Sequence, residues 1–127
     1  SNPGFVVGEE AVAVIDTGGS PQVGRELRAA VTSITDKPIR YVINTHMHPD
    51  HVFGNVAFEA DGRVFVGHHK LARGLTARSE RYLAINKDLL GPEAFEGTKI
   101  IPPTLTVEGT RTLDLGGRTL ELSAQPT

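Results

Sequence analysis

Two periodicities organise the apolar positions of this chain. Phe5-Val6-Val7 and the run from Ala11 to Ile15 flank the turn residues Gly8-Glu9-Glu10 and predict two strands. The second run is apolar throughout, which predicts a strand buried on both faces. Asp16-Thr17-Gly18-Gly19 ends it as a loop. Ser20-Pro21 then supplies an N-cap and a proline at the first helical position. Val23, Leu27, Ala30, Val31 and Ile34 recur at helical spacing, so the pattern predicts an amphipathic helix over 21–34, stopped by Asp36-Lys37-Pro38. Ile39 to Ile43 is the next strand, and Asn44 to Pro49 leaves it as a loop. A short helix follows around Asp50 to Phe53. After an Asp61-Gly62 turn, Arg63 to Val66 is strand again. Residues 69–90 read as a helix with Leu75, Tyr82, Ile85 and Leu89 on one side and Gly91-Pro92 as its stop. Leu105 to Val107, Thr110 to Leu115 and Thr119 to Leu122 are strands turned by Gly109 and Gly116-Gly117.

Strands come first, then strand and helix alternate, then a β-meander closes. The order predicts an α+β fold with a mixed β-sheet and helices on one face. Two good helices against seven or so short strands are thin cover for a closed two-layer core. The expectation is therefore that a partner half is missing and that an apolar sheet face lies uncovered. Two copies could bury that face symmetrically, which predicts a homo-oligomer.

Composition narrows the classes. An apolar share of 39% suits a globular chain rather than a disordered one. The net charge of -2, with no run of lysine and arginine, gives no basic face for a nucleic acid. The longest apolar runs are of strand length, so no membrane span is expected, and the beginning of the chain shows no signal-peptide pattern. There is no cysteine, which excludes disulfides and thiolate metal sites. The compartment stays open between cytoplasm and periplasm.

Of the five histidines, three fall within His46-Met47-His48-Pro49-Asp50-His51. In an extended segment, side chains at i and i+2 point the same way, so His46 and His48 can grip one ion. Asp50 and His51 follow a turn-forming proline and can face a second point nearby. Imidazole and carboxylate suit zinc, and iron or manganese less selectively. Two metals roughly 3.5–4 Å apart would form a hydrolytic clamp. A polar surface loop that is histidine-rich by accident is the alternative, and three His with an Asp in this order argue against it. The loop leaves the C-terminal end of a buried strand, where such sheets tend to place ligands. Asp16 ends another strand. It is either a plain turn former or a residue that orients a metal-bound histidine from beneath.

Asn44-Thr45-His46-Met47-His48-Pro49-Asp50-His51, with Gly54 after it and Asp16-Thr17-Gly18 before it, resembles the metallo-β-lactamase superfamily. The resemblance implies an αββα sandwich with one or two zinc ions at one edge. His46 and His48 would hold the first metal, and Asp50 and His51 the second. It also implies a hydrolase that directs a metal-bound hydroxide at a carbonyl or ester-like small-molecule substrate, with Asp50 orienting the hydroxide. A histidine at position 48, where flavo-di-iron relatives carry a carboxylate, favours the hydrolytic branch. The wording around Phe58 and from Val64 to Leu71 is similar, less specifically, to bacterial zinc metallohydrolases linked to quinoprotein or sulfur-oxidation systems. The family takes further ligands from its second half, and no histidine follows His69 here. Residues 1–127 are accordingly read as the N-terminal half of such a domain, catalytically weak or inactive alone. The alternatives are a self-associating half-domain without catalysis and a simple metal-binding module.

Other residues carry less. His68 and His69 read as a solvated helix start, although one could reach the site edge. Lys70, Arg73, Arg78 and Arg81 read as a charged solvent face rather than an anion patch. Met47 packs or lines the mouth, and Tyr82 fits an apolar stripe.

Overall fold

The computed structural model describes residues 3–45, 53–59, 63–70, 84, 101 and 103–124. Seven strands appear among them: β1 (Gly4–Val7), β2 (Val12–Ile15), β3 (Ile39–Asn44), β4 (Val64–His68), β5 (Leu105–Val107), β6 (Thr110–Asp114) and β7 (Thr119–Ser123). The α-helix α1 (Pro21–Ile34) and the 3-10 helix Phe53–Phe58 accompany them. The short helix expected around Asp50 to Phe53 falls outside the described residues except at Phe53, where the 3-10 helix begins. The helix expected over 69–90 falls almost wholly outside the described residues. Within it His69 and Lys70 form a turn and Ala84 is helical. No helix among the described residues is long and apolar enough to cross a membrane.

β1 to β5 form one mixed sheet in chain order. β1 pairs antiparallel with β2, and β2, β3, β4 and β5 run parallel. β2 is fully buried from Val12 to Val14, because both faces of the sheet are covered. Val12 and Val14 face the helical side with Val31, Phe58 and Phe65, while Ala11 and Ala13 face the other with Ile43, Val66 and Leu115. The period of two along β2 thus sends Val12 and Val14 to one core and Ala13 and Ile15 to the other. Between β2 and β3 the register slips: Val12 lies opposite Ile39, but Ala13 lies opposite Tyr41. Arg40 is the extra residue, a local bulge. The slip puts Ile39 and Val42, three residues apart, into the same core.

Helix α1 begins as its sequence demands. Ser20 caps it, its hydroxyl accepting from the Val23 amide at 3.3 Å, and Pro21 opens the first turn. The buried face differs from the expected stripe. Pro21, Gly24 and Val31 are buried, with Leu27 partly so, whereas Val23 and Ile34 are 39% and 66% exposed. The reason is close approach. A Cβ on Gly24 would stand 2.9 Å from the Gly54 Cα and 3.0 Å from the Ala57 Cβ. The 3-10 helix is therefore docked on the glycine side of α1, and the helix is rotated away from its most hydrophobic stripe.

β6 and β7 form an antiparallel hairpin on the other face of the sheet. Leu113, Leu115, Leu120 and Leu122 point into that second core. Backbone bonds lock the hairpin to the β1–β2 turn: Glu9 N–H donates to Gly116 O at 2.8 Å, and Glu10 N–H to Leu115 O at 2.9 Å. Arg40 reaches across to Asp114 O at 2.9 Å. The outward positions Thr110, Thr112, Asp114, Thr119, Glu121 and Ser123 are all polar and exposed. The uncovered apolar sheet face expected to drive pairing of two copies is thus not found among the described residues. The β6–β7 hairpin supplies that cover, as a second layer against the five-stranded sheet.

Candidate functional site

The parallel strands β2, β3 and β4 all end at one edge of the sheet, at Ile15, Asn44 and His68. Each hands the chain to a polar segment there. His46, His48, Asp50 and His51, the expected metal ligands, and Met47 between them lie outside the described residues. The two ends from which that segment hangs are described in full.

The leading end is held by Asp16. This residue is 5% exposed and takes the left-handed conformation, with φ 58, which aspartate tolerates better than most residues. The turn aims its carboxylate at the start of the loop. One oxygen accepts from the Thr45 amide at 2.8 Å, and the other accepts from the Thr45 hydroxyl at 2.7 Å. The Asp16 amide donates to Ile43 O at 2.7 Å, so the same residue ties β2 to β3. Thr45 immediately precedes His46. Asp16 is therefore a turn former that also anchors the loop entry through Thr45; the histidine that it was expected to orient lies outside the described residues.

The trailing end is held by the 3-10 helix. Gly54 N–H donates to Gly18 O at 3.0 Å. A Cβ at Gly54 would overlap the Thr17 carbonyl oxygen, so only glycine lets the two backbones meet. Asn55, with no solvent exposure, forms a reciprocal amide pair with Asn44. Asn55 Nδ2 donates to Asn44 Oδ1 at 2.7 Å, and Asn44 Nδ2 donates back to Asn55 Oδ1 at 3.1 Å. The buried Thr17 hydroxyl donates to the same Asn55 Oδ1 at 2.7 Å. Sequence reasoning missed this group. Its signal was a single amide inside the apolar run Phe53-Gly54-Asn55-Val56-Ala57-Phe58, since a buried amide must find partners. At the far end of the 3-10 helix, Arg28 donates to Ala57 O and Arg63 to Phe58 O, each at 3.0 Å. Burial, and then the nearby charge of Arg28, lower the Arg63 guanidinium pKa.

His68 ends β4 and His69 opens the turn after it, and both are half-buried rather than fully solvated; the helix expected to start there lies almost wholly outside the described residues. The two imidazole rings stack with centroids 4.4 Å apart. His68 Nδ1 accepts from the Lys70 amide at 3.1 Å. His69 Nδ1 lies 3.3 Å from Val107 O, a contact that suits the tautomer with the proton on Nδ1. Among the described residues no cluster of three or more His, Asp or Glu could hold a metal ion.

A family model described as the metallo-beta-lactamase superfamily matches residues 1–127. This chain belongs to that superfamily. The fold agrees: a metallo-beta-lactamase from Pontibacter korlensis superposes with a TM-score of 0.66 at 23% identity, over 92% of this chain and 45% of that one. FIM-1 from Pseudomonas aeruginosa, solved in a mono-zinc form, superposes at 0.58 with 18% identity, over 86% of this chain and 39% of its own. A linear primary-alkylsulfatase from Pseudomonas sp. (strain ATCC 19151) is 40% identical over 58 residues, which are 46% of this chain and 11% of that protein. The chain thus spans less than half the length of these solved superfamily relatives and about 11% of the sulfatase. Membership accounts for the mixed α+β architecture, and the superfamily as a whole suggests metal-dependent hydrolysis.

Proposed function

We propose that this chain carries the first part of a zinc-dependent hydrolase site, with His46, His48, Asp50 and His51 as the metal ligands. The observation that supports it most is the placement of the His-x-His-x-Asp-His segment. The described residues on either side of it, Thr45 and Gly54, are both anchored at the edge where the parallel strands finish. Three imidazoles and a carboxylate are a donor set that fits zinc, with iron or manganese as poorer matches. When bound, one or two such ions supply Lewis acidity and lower the pKa of water. The chain's own residues do the rest. Asp16 holds the loop entry through Thr45, and through it the backbone that carries His46. Asp50 has two carboxylate oxygens, one to bind metal and one to accept a hydrogen bond from the attacking water. Four ligands shared by two ions leave each short of a full set, so further donors are needed from water or from residues beyond these four.

The substrate is proposed to be a small ester-like molecule. The identity with the alkylsulfatase favours a sulfate ester of a primary alcohol within that class. The first test is retained metal. After zinc loading and desalting, elemental analysis is expected to find near-stoichiometric zinc on this chain and its loss from the His46→Ala/His48→Ala variant. Equal zinc on both, or none on either, overturns the ligand assignment. Turnover is then read with an alkyl sulfate, a β-lactam and a thioester. Zinc retained at the motif with no turnover on any of them would favour a metal-binding module over an enzyme.

A further inference from the structure

The ends of the motif segment are joined to each other as well as to the scaffold. Asn44 lies two residues before His46, and Asn55 lies four after His51. Their side chains meet in a buried reciprocal pair with no water needed to complete it. Every bonding position of the Asn55 amide is used. Its Oδ1 accepts from Thr17 Oγ1 and Asn44 Nδ2, and its Nδ2 donates to Asn44 Oδ1 and to Ile101 O at 3.4 Å. The Ile101 carbonyl can only accept, which fixes the orientation of the amide. One side chain therefore ties four stretches of chain: the loop after β2, the end of β3, the 3-10 helix, and the approach to β5.

We propose that Asn55 is a positioning residue whose clasp on Asn44 and Thr17 closes the segment 45–54 before any metal arrives and so sets its metal affinity. The inference rests on the zinc reading above for its effect on affinity, but not for the clasp itself. The physical reason is loop entropy. A segment with free ends must be ordered by the metal, and that ordering is taken out of the binding free energy. Two buried hydrogen bonds already join Asn44 to Asn55, and a third holds Asn55 to Thr17, so less of that ordering is left for the metal to impose. A core of Val or Leu at these positions would bury as much surface but would leave the register of the two ends unspecified, whereas a reciprocal amide pair has one geometry.

The experiment compares Asn55→Ala with the near-isosteric Thr17→Val, the second keeping the amide pair and the packing if the first fails to fold. Two readouts are taken on each. Hydrogen exchange on the metal-free chain follows the amides of 45–54 against those of Val14 and Val42 in the core. Zinc affinity is measured by competition with a chromophoric chelator. In a folded Thr17→Val protein, exchange over 45–54 is expected to quicken about tenfold at unchanged core exchange, and the zinc Kd to rise about tenfold. Asn55→Ala is expected to exceed both. Unchanged exchange over 45–54 in a folded variant overturns the clasp, as does acceleration spread evenly through the core, which would mark a merely structural role. A wild-type chain that binds no zinc defeats the zinc reading instead, and the exchange data still decide the clasp. Local loosening with zinc affinity unmoved would overturn the claim that the clasp sets affinity.

Discussion

Replacing Gly54 by alanine puts one methyl group into a space that does not exist. The added Cβ would overlap the Thr17 carbonyl oxygen and stand 2.6 Å from the Thr17 carbonyl carbon and 2.9 Å from its Cβ. The first two obstacles are backbone atoms, so no rotamer change relieves them. The 3-10 helix must move off the loop after β2, and the Gly54–Gly18 hydrogen bond at 3.0 Å stretches as it moves. Overpacking of this kind costs about 3 kcal/mol, and the weakened bond adds about 1 kcal/mol. For a domain of this size about 4 kcal/mol lowers Tm by on the order of 16 °C. The control is Gly4→Ala, where the new Cβ meets nothing within 4 Å and the change is expected to stay within about 0.5 kcal/mol. Thermal unfolding followed by circular dichroism compares the three proteins. If Gly54→Ala melts within about 2 °C of Gly4→Ala, the close approach of these two loops is not a feature of the folded protein, and the account of how the motif segment is anchored fails with it.

Other substitutions probe separate parts of the structure. Asp16→Ala removes both acceptors of Thr45 and is expected to cost about 2–3 kcal/mol in urea unfolding and to weaken zinc retention; wild-type values of both would show that the loop entry is held by something else. Val31→Ala should cost about 2 kcal/mol while Ile34→Ala changes stability by less than about 0.5 kcal/mol, since the first is buried and the second is 66% exposed. The reverse order would restore the helix face expected from hydrophobicity alone. Leu115→Ala, at the docking point of the β6–β7 hairpin and without solvent exposure, is expected to cost about 2–5 kcal/mol. A near-neutral result would mean that the hairpin does not cover the sheet.

Much of the fold is written locally. The β2 strand, the Ser20-Pro21 helix start and the final hairpin with its Gly116-Gly117 turn all sit close to where their patterns put them, because each depends on neighbours a few residues away. The His-x-His-x-Asp-His motif proposed as the ligand set is legible for the same reason: a metal takes particular donors at short spacing, and six consecutive residues suffice to display them.

What the tertiary structure decided is which surfaces meet. Gly24 looks inert beside Val23, yet its missing side chain is what allows the 3-10 helix to approach, and so it turned the helix away from its apolar stripe. That the closing meander forms a separate layer rests on packing: the small Ala11 and Ala13 leave room for the leucines of β6 and β7 to lie across the sheet. Asn55 gave only a weak signal, because its partners are 11, 38 and 46 residues away. The sequence by itself determined most of the described elements, which rest on local periodicity, and it carries the donor types on which the proposed metal site depends. Close approach and buried polar pairing depend on atoms brought together from distant positions, and those were decided only when the layers packed.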